Sequence, residues 1–192
     1  MLTTLRLRMA IGAGQSVSWE LAEDIEKVLS ELGQKLSPFD RRLLNLIQFA
    51  CLYLTDMAIL LELSDMARAE RKKRLFARLI ALHVFECFDR FGEMLHQTFA
   101  ARVRQLATHE QFGPVLKELR KLRKAHAPLL RNIRNSVIAH RDPDASVQLA
   151  MIRSIDPKRI HRMGVDVVKW LTSLITALKP FVQEARSRAT GT

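Results

Sequence analysis

The stretch LLRNIRNSVIAHRDPD, residues 129–144, decides how this chain is interpreted. In it, Arg134 is followed by the polar Asn135 and, after five intervening residues, by His140, so a fixed cation and a titratable imidazole lie close in sequence. Helical steps of about 100° would separate Arg134 and His140 by roughly 120° around a continuous helix. The pair forms a joint site only at a helix end or with a second chain. Asp142-Pro143 predicts such an end, because proline disfavours helix in the residue before it.

These residues resemble the motif of the HEPN superfamily, small all-helical proteins in which Arg, a polar residue and a His about four to six residues beyond the Arg form an RNA-cleaving site. Arg134, Asn135 and His140 match that pattern directly, and the resemblance covers roughly residues 65–180. It implies a helical fold and a homodimer that brings two copies of the motif together. It also implies an endoribonuclease, in some members a toxin with a cognate antitoxin or a component of phage defence. Not every member is a nuclease.

If the resemblance extends to activity, the ribose 2′-hydroxyl attacks the adjacent phosphate in a metal-independent cleavage that uses no cofactor. His140 would transfer the proton, since imidazole titrates near neutrality. Arg134 would stabilise the charge that develops on the phosphate oxygens. Asn135 would orient the phosphate or the imidazole, and Asp142 would select the imidazole tautomer, although an Asp before Pro more often makes a local turn.

A competing interpretation gives the motif a structural role. His140 would then cap a helix terminus, where a cation is favoured, while Arg134 pairs with an acid in the bundle. The protein would be a non-catalytic helical dimer that binds RNA or another protein. A DNA-reading helix-turn-helix around Gly113 is a weaker alternative, because the helix after that turn is too uniformly basic to favour base readout.

The charge of the chain is concentrated in its second part. Residues 1–64 contain six Lys/Arg and eight Asp/Glu, whereas residues 65–192 contain 25 and 12. From Val115 to Arg141, Glu118 is the one acidic residue among many basic ones. This excess predicts a polyanion-binding surface, with RNA as the expected partner. The basic residues are Lys117, Arg120, Lys121, Arg123, Lys124, Arg131, Arg134 and Arg141. The alternative is a solvated helix face or one that is paired with acids elsewhere.

The length of 192 residues suits one domain with a substantial core. We predict a flexible arm over residues 1–15, a helical domain over 16–185 and a frayed tail over 186–192. No secretory signal is evident, and Cys51 and Cys87 lie in apolar helical stretches, which favours buried thiols in a reducing cytoplasm.

The periodicity predicts an all-α bundle of about five to six helices, with no alternating strand. A first helix is expected from Ser16 or Ser18 to about Gly33, and a second from Ser37-Pro38 to about Leu63. The other expected features are a third helix capped by Ser64 or Asp65, a fourth opened by Pro114 and kinked or broken near Pro128, a short helix over 147–153 and a last helix from Asp156-Pro157.

Two further features of the sequence are better explained by helix packing than by a membrane span or a metal site. The second helix is long enough to cross a membrane, but its polar residues follow one stripe, which favours a helix buried in the bundle or in a dimer interface. His83, Glu86 and Asp89 have the spacing of metal ligands, yet His83 lies on an apolar stripe and is better explained as a hydrogen-bonded core histidine. Neither Glu86 nor Asp89 can be assigned a role toward Arg134 from sequence. No metal site is predicted.

Overall fold

The described part of the computed structural model comprises residues 2–99, 112–133 and 145–191. These residues form six helices and no strand, so the prediction of an all-α helix bundle is confirmed. The helices are α1 (Leu2–Leu32), α2 (Pro38–Met66), α3 (Glu70–Phe99), α4 (Phe112–Ile133), α5 (Ala145–Ser154) and α6 (Pro157–Thr190).

Two helix starts follow directly from local sequence. At the start of α2, the hydroxyl of Ser37 accepts a hydrogen bond from the backbone N–H of Asp40 at 3.1 Å and donates to its carboxylate at 2.7 Å. At the start of α6, the carboxylate of Asp156 accepts from the N–H groups of Lys158 and Arg159. Each cap satisfies backbone donors that have no partner inside the helix, and a proline follows each cap as predicted.

Helix α2 is the centre of the bundle and packs against α1, α3 and α6. The approach of α6 is close at Gly164, where an added Cβ atom would lie 3.0 Å from Leu61 and 3.1 Å from Ile80. Further along α6, the indole N–H of buried Trp170 donates to the carbonyl oxygen of Val115 in α4 at 3.0 Å. This hydrogen bond joins the motif-proximal helix α4 to the core.

The structure corrects two predicted boundaries near the start of the chain. Helix α1 begins at Leu2 and includes the segment 2–15 that was predicted as an arm, because Gly12 and Gly14 each lower helix propensity by only about 1 kcal/mol and do not terminate a helix. Helix α3 is not capped by Ser64 or Asp65. Instead, α2 continues to Met66, and α3 begins at Glu70 after a short extended connection.

Two predictions about the later helices are also corrected. Helix α4 is not broken at Pro128, because Pro128 lies on the exposed side while Leu130 and Ile133 beyond it remain in the core. The proline therefore frees a carbonyl group toward solvent, where water can satisfy it. Helix α6 continues through most of the predicted tail to Thr190, where Gly191 ends it in a left-handed conformation with φ 73°.

The apolar second helix and the cysteines are placed in the interior. Among the described residues, α2 is the helix that is long and apolar enough to cross a membrane, and half of its most apolar stretch is buried inside the bundle. Cys51 and Cys87 are free and buried as predicted. Burial raises the pKa of both thiols, that of Cys51 to about 12.

Candidate nucleic-acid interface

In the sequence, the motif falls between the described parts of α4 and α5. Helix α4 ends at Ile133 and α5 begins at Ala145, so the predicted catalytic residues Arg134, Asn135, His140 and Asp142, and the predicted RNA contact Arg141, lie outside the described residues. The six remaining predicted RNA contacts all lie on α4. The geometry of the candidate site is therefore the geometry of this helix and its surroundings.

Helix α4 has one buried side and one basic side. Its buried residues are Phe112, Val115, Leu119, Leu122, Leu130 and Ile133. Helical steps of about 100° place five of the predicted RNA contacts on the opposite side, in a stripe about 100° wide and about 21 Å long. This basic stripe consists of the exposed residues Lys117, Arg120, Lys121, Lys124 and Arg131.

Most of the basic stripe has no acidic partner in the described chain. Lys121 lies 3.5 Å from Glu118, but the other four stripe residues form no ion pair with a described acid. The sequence left open whether these cations are paired with acids elsewhere in the bundle. For the described residues, that pairing is limited to one exposed contact, which contributes little in water. With respect to the described residues, the stripe therefore presents a largely uncompensated positive charge to solvent.

Arg123 occupies a different position from the other five predicted contacts. Its guanidinium lies against α3, where a Cβ atom added to Gly92 would be only 2.7 Å from the Nη1 atom of Arg123. Glycine at position 92 thus leaves the space in which this side chain crosses α3. Arg123 is exposed, but it lies on the flank of α4 and not within the basic stripe.

A cavity of about 320 Å³ lies at the end of α4 that leads into the motif. It is formed by Leu129, Asn132 and Ile133 of α4 together with residues around the α5–α6 junction, including Asp156 and Arg159. Asn132 and Arg159 supply hydrogen-bond donors beside the residue that precedes Arg134. Sequence reasoning missed both, because only the packing of α6 on α4 brings Arg159 to this end of the helix.

A second feature missed in the sequence is His126. This partly buried side chain lines a groove of about 600 Å³ between α4 and α6, together with Lys121, Asp166 and Lys169. Burial lowers the pKa of His126, while the nearby carboxylate of Asp166 opposes that effect and Arg159 adds to it. Its place on the apolar side of α4, seven residues after Leu119 and four after Leu122, was the available sequence signal.

The other candidate ligands on α3 have structural partners or face solvent. The Nε2 atom of His83 lies 3.3 Å from the carbonyl oxygen of Tyr53 and donates to it, which confirms the prediction of a hydrogen-bonded core histidine. Burial lowers the pKa of His83. Glu86 and Asp89 are exposed, and no group of three His, Cys, Asp or Glu side chains in the described ranges is arranged to hold a metal ion.

Comparisons with protein-family models, with curated proteins and with solved structures gave no match for this chain.

Proposed function

We propose that this protein is a metal-independent endoribonuclease of HEPN type, which binds single-stranded RNA along the basic stripe of α4 and cleaves it with the motif that follows. The observation that carries the proposal is the stripe itself. Five exposed cations, four of them without an acidic partner among the described residues, lie on the helix whose last residue directly precedes Arg134. Binding of RNA to this surface would deliver the phosphate backbone to the motif.

The chemistry follows from the residue types in the motif. The 2′-hydroxyl oxygen attacks the adjacent phosphorus while His140 accepts the hydroxyl proton. The bond between phosphorus and the 5′ oxygen then breaks, and that oxygen takes a proton, which leaves a 2′,3′-cyclic phosphate and a 5′-hydroxyl end. Arg134 stabilises the charge on the non-bridging oxygens, Asn135 positions the phosphate or the imidazole, and Asp142 holds the tautomer. In this proposal a homodimer combines two copies of the motif, and a cognate antitoxin or regulatory protein controls the activity.

The decisive experiment compares the protein with its His140→Ala variant on labelled single-stranded RNA in excess EDTA, across a pH series around neutrality. We expect cleavage by the unsubstituted protein and its loss in the variant. His126→Ala is the matched control, because it removes a histidine that lies in the groove between α4 and α6, outside the motif. An RNA with a single 2′-deoxy position should not be cut at that position, since its nucleophile is missing.

The second candidate function is RNA binding without cleavage, and the same stripe supports it. If neither protein cuts RNA, but both bind it equally and substitutions in the basic stripe weaken binding, then α4 is a docking surface and His140 has a structural role. Cleavage that survives in His140→Ala would contradict the proposed mechanism. An RNA affinity that does not respond to changes in the stripe would contradict both candidates.

A further inference from the structure

Among the residues whose burial the structure describes, six of the ten exposed large apolar side chains lie on α2 and α3. Of these six, Met66 is 59% exposed, Ile59 45% and Leu79 40%. The α2–α3 face consists of Leu52, Ile59, Leu63 and Met66 of α2 and Leu75 and Leu79 of α3. Single exposed apolar residues are ordinary on a protein surface, but a contiguous patch of this kind marks an interaction site.

The spacing along both helices is that of a helix–helix seam. On α2 the outward residues are Leu52, Asp56, Ile59, Leu63 and Met66, and on α3 they are Lys72, Leu75, Leu79, Leu82 and Glu86. Each set alternates between steps of three and four residues, the pattern by which one helix packs its side chains between those of another. Two such seams on neighbouring helices fit a pair of helices from a partner better than one extended segment.

Contacts between α2 and α3 show that the two seams form one surface. Leu63 and Met66 of α2 line a shallow cavity of about 500 Å³ together with Leu75 of α3. Further along the pair, the hydrogen bond from His83 to the carbonyl oxygen of Tyr53 fixes the register of the two helices. Ile59 and Leu79 therefore both lie near the middle of the face.

The charges at the ends of the α3 seam are complementary under a two-fold rotation. Lys72 lies seven residues before Leu79, and Glu86 lies seven residues after it. Both are exposed, and neither forms an ion pair with a described residue. When two copies of α3 pack antiparallel about Leu79, Lys72 of each copy faces Glu86 of the other. Residues 52 and 66 have the same relation about Ile59 on α2, and both are apolar.

We infer that the α2–α3 face is the docking surface for a second copy of this chain, in an antiparallel arrangement with its two-fold axis near Leu79 and Ile59. A two-fold interface requires that one surface be complementary to itself, and the α3 seam meets that condition in its apolar residues around Leu79 and in its charged ends. The inference specifies the surface of the homodimer proposed above and is independent of RNA cleavage.

The arrangement also relates the dimer to α4. Ile133 lines the same cavity as Ile160 of α6, and one turn further along α6 an added Cβ at Gly164 would contact Ile80 of α3. The end of α4 is thus at about the level of Leu79 along the bundle. A two-fold axis at Leu79 places the α4 ends of the two copies at the same level.

The test measures molar mass by size-exclusion chromatography with light scattering over a range of micromolar concentrations. We expect the unsubstituted chain to give twice the monomer mass of 22.0 kDa and Leu79→Asp to give the monomer mass. Leu149→Asp is the matched control, because it changes an exposed leucine of α5 outside the face and should leave the dimer intact. Far-UV circular dichroism checks that each variant retains its helices.

A charge swap tests the antiparallel register. Lys72→Glu and Glu86→Lys should each weaken dimerisation roughly tenfold, because every reversal converts two attractive contacts per dimer into repulsive ones. The double variant should restore the original affinity. A monomeric unsubstituted protein, a dimeric Leu79→Asp variant or a double variant without recovery would overturn the inference. So would a monomer that binds anionic phospholipid vesicles through this face. Mass is measured without RNA, so these outcomes do not depend on nuclease activity.

Discussion

The environment of His83 makes the stability of the bundle depend on pH. Its ring stacks on Tyr53 with ring centres 4.3 Å apart, and its Nε2 atom donates to the carbonyl oxygen of Tyr53. Burial lowers the pKa of this imidazole in the folded protein, although Asp56 and Glu86 act in the opposite direction. In the unfolded chain the pKa returns to about 6.5. At a pH between these two pKa values, the unfolded state therefore binds more protons than the folded state.

We predict that His83 makes the free energy of unfolding fall as the pH is lowered below about 6.5, the pKa of the unfolded chain. Urea titrations of the unsubstituted protein and of His83→Gln measure this dependence. The free energy of unfolding of the variant should change less steeply with pH. The pH dependence that remains should come from His126, whose pKa is also lowered by burial. Parallel pH profiles for the two proteins would show that folding does not lower the pKa of His83.

At the scale of a single element, α4 separates the residues that fold the helix from those that face a ligand. A variant with Lys117→Gln, Arg120→Gln and Lys124→Gln should keep its stability within about 0.5 kcal/mol, since the three side chains are exposed. Its affinity for single-stranded RNA should fall. The slope of log affinity against log salt should become shallower by about 0.7 for each RNA phosphate that the variant no longer neutralises.

The control for this experiment removes the same charge elsewhere. Lys27→Gln, Lys35→Gln and Lys179→Gln change three exposed lysines on other elements and leave the stripe unchanged. If this variant loses as much affinity and as much salt dependence as the stripe variant, RNA responds to net charge alone and α4 is not its binding surface.

Local sequence was sufficient for the parts of the fold that depend on local contacts. The caps at Ser37 and Asp156 could be predicted because each acts within its own first helical turn. The continuation of α4 past Pro128 could not be predicted, because the cost of this proline depends on which side of α4 meets solvent and on how Leu130 packs beyond it. A tertiary contact outweighed the local preference in that case.

In the candidate site too, the features within one helix could be predicted from sequence, and the contacts between helices could not. The basic stripe could be predicted from helical periodicity, because its residues share one helix. Arg123 against Gly92, and Arg159 beside Asn132, could not be predicted, since each pair joins residues far apart in the sequence. The motif residues themselves fall outside the described ranges, and their roles remain predictions.

At the scale of the whole molecule, an ion pair joins the start of α2 to the end of α6. The Nη2 atom of Arg188 lies 2.6 Å from the Oδ1 atom of Asp40, whose carboxylate is almost fully buried. We predict that Arg188→Gln destabilises the protein by about 1–2 kcal/mol, because a buried carboxylate loses its cation while the exposure of the guanidinium limits how much the pair stabilises the fold. Thermal or urea unfolding measures the effect.

The matched control is Arg186→Gln, which changes an exposed arginine in the same helical turn and should shift the unfolding free energy by less than about 0.5 kcal/mol. Combining Arg188→Gln with Asp40→Asn should give less than the sum of the two separate effects, since both remove the same interaction. Additive effects would indicate that the two residues act independently.

The same contact between α2 and α6 limits when the bundle can close during translation. Asp40 leaves the ribosome long before Arg188, and the surfaces of Leu61 and Ile80 that Gly164 covers also precede their cover along the chain. At about 5–20 residues per second, several seconds of synthesis separate the two halves of this core. The nascent chain therefore exposes the side of α2 that faces α6, and this part of the core closes only after α6 has been synthesised.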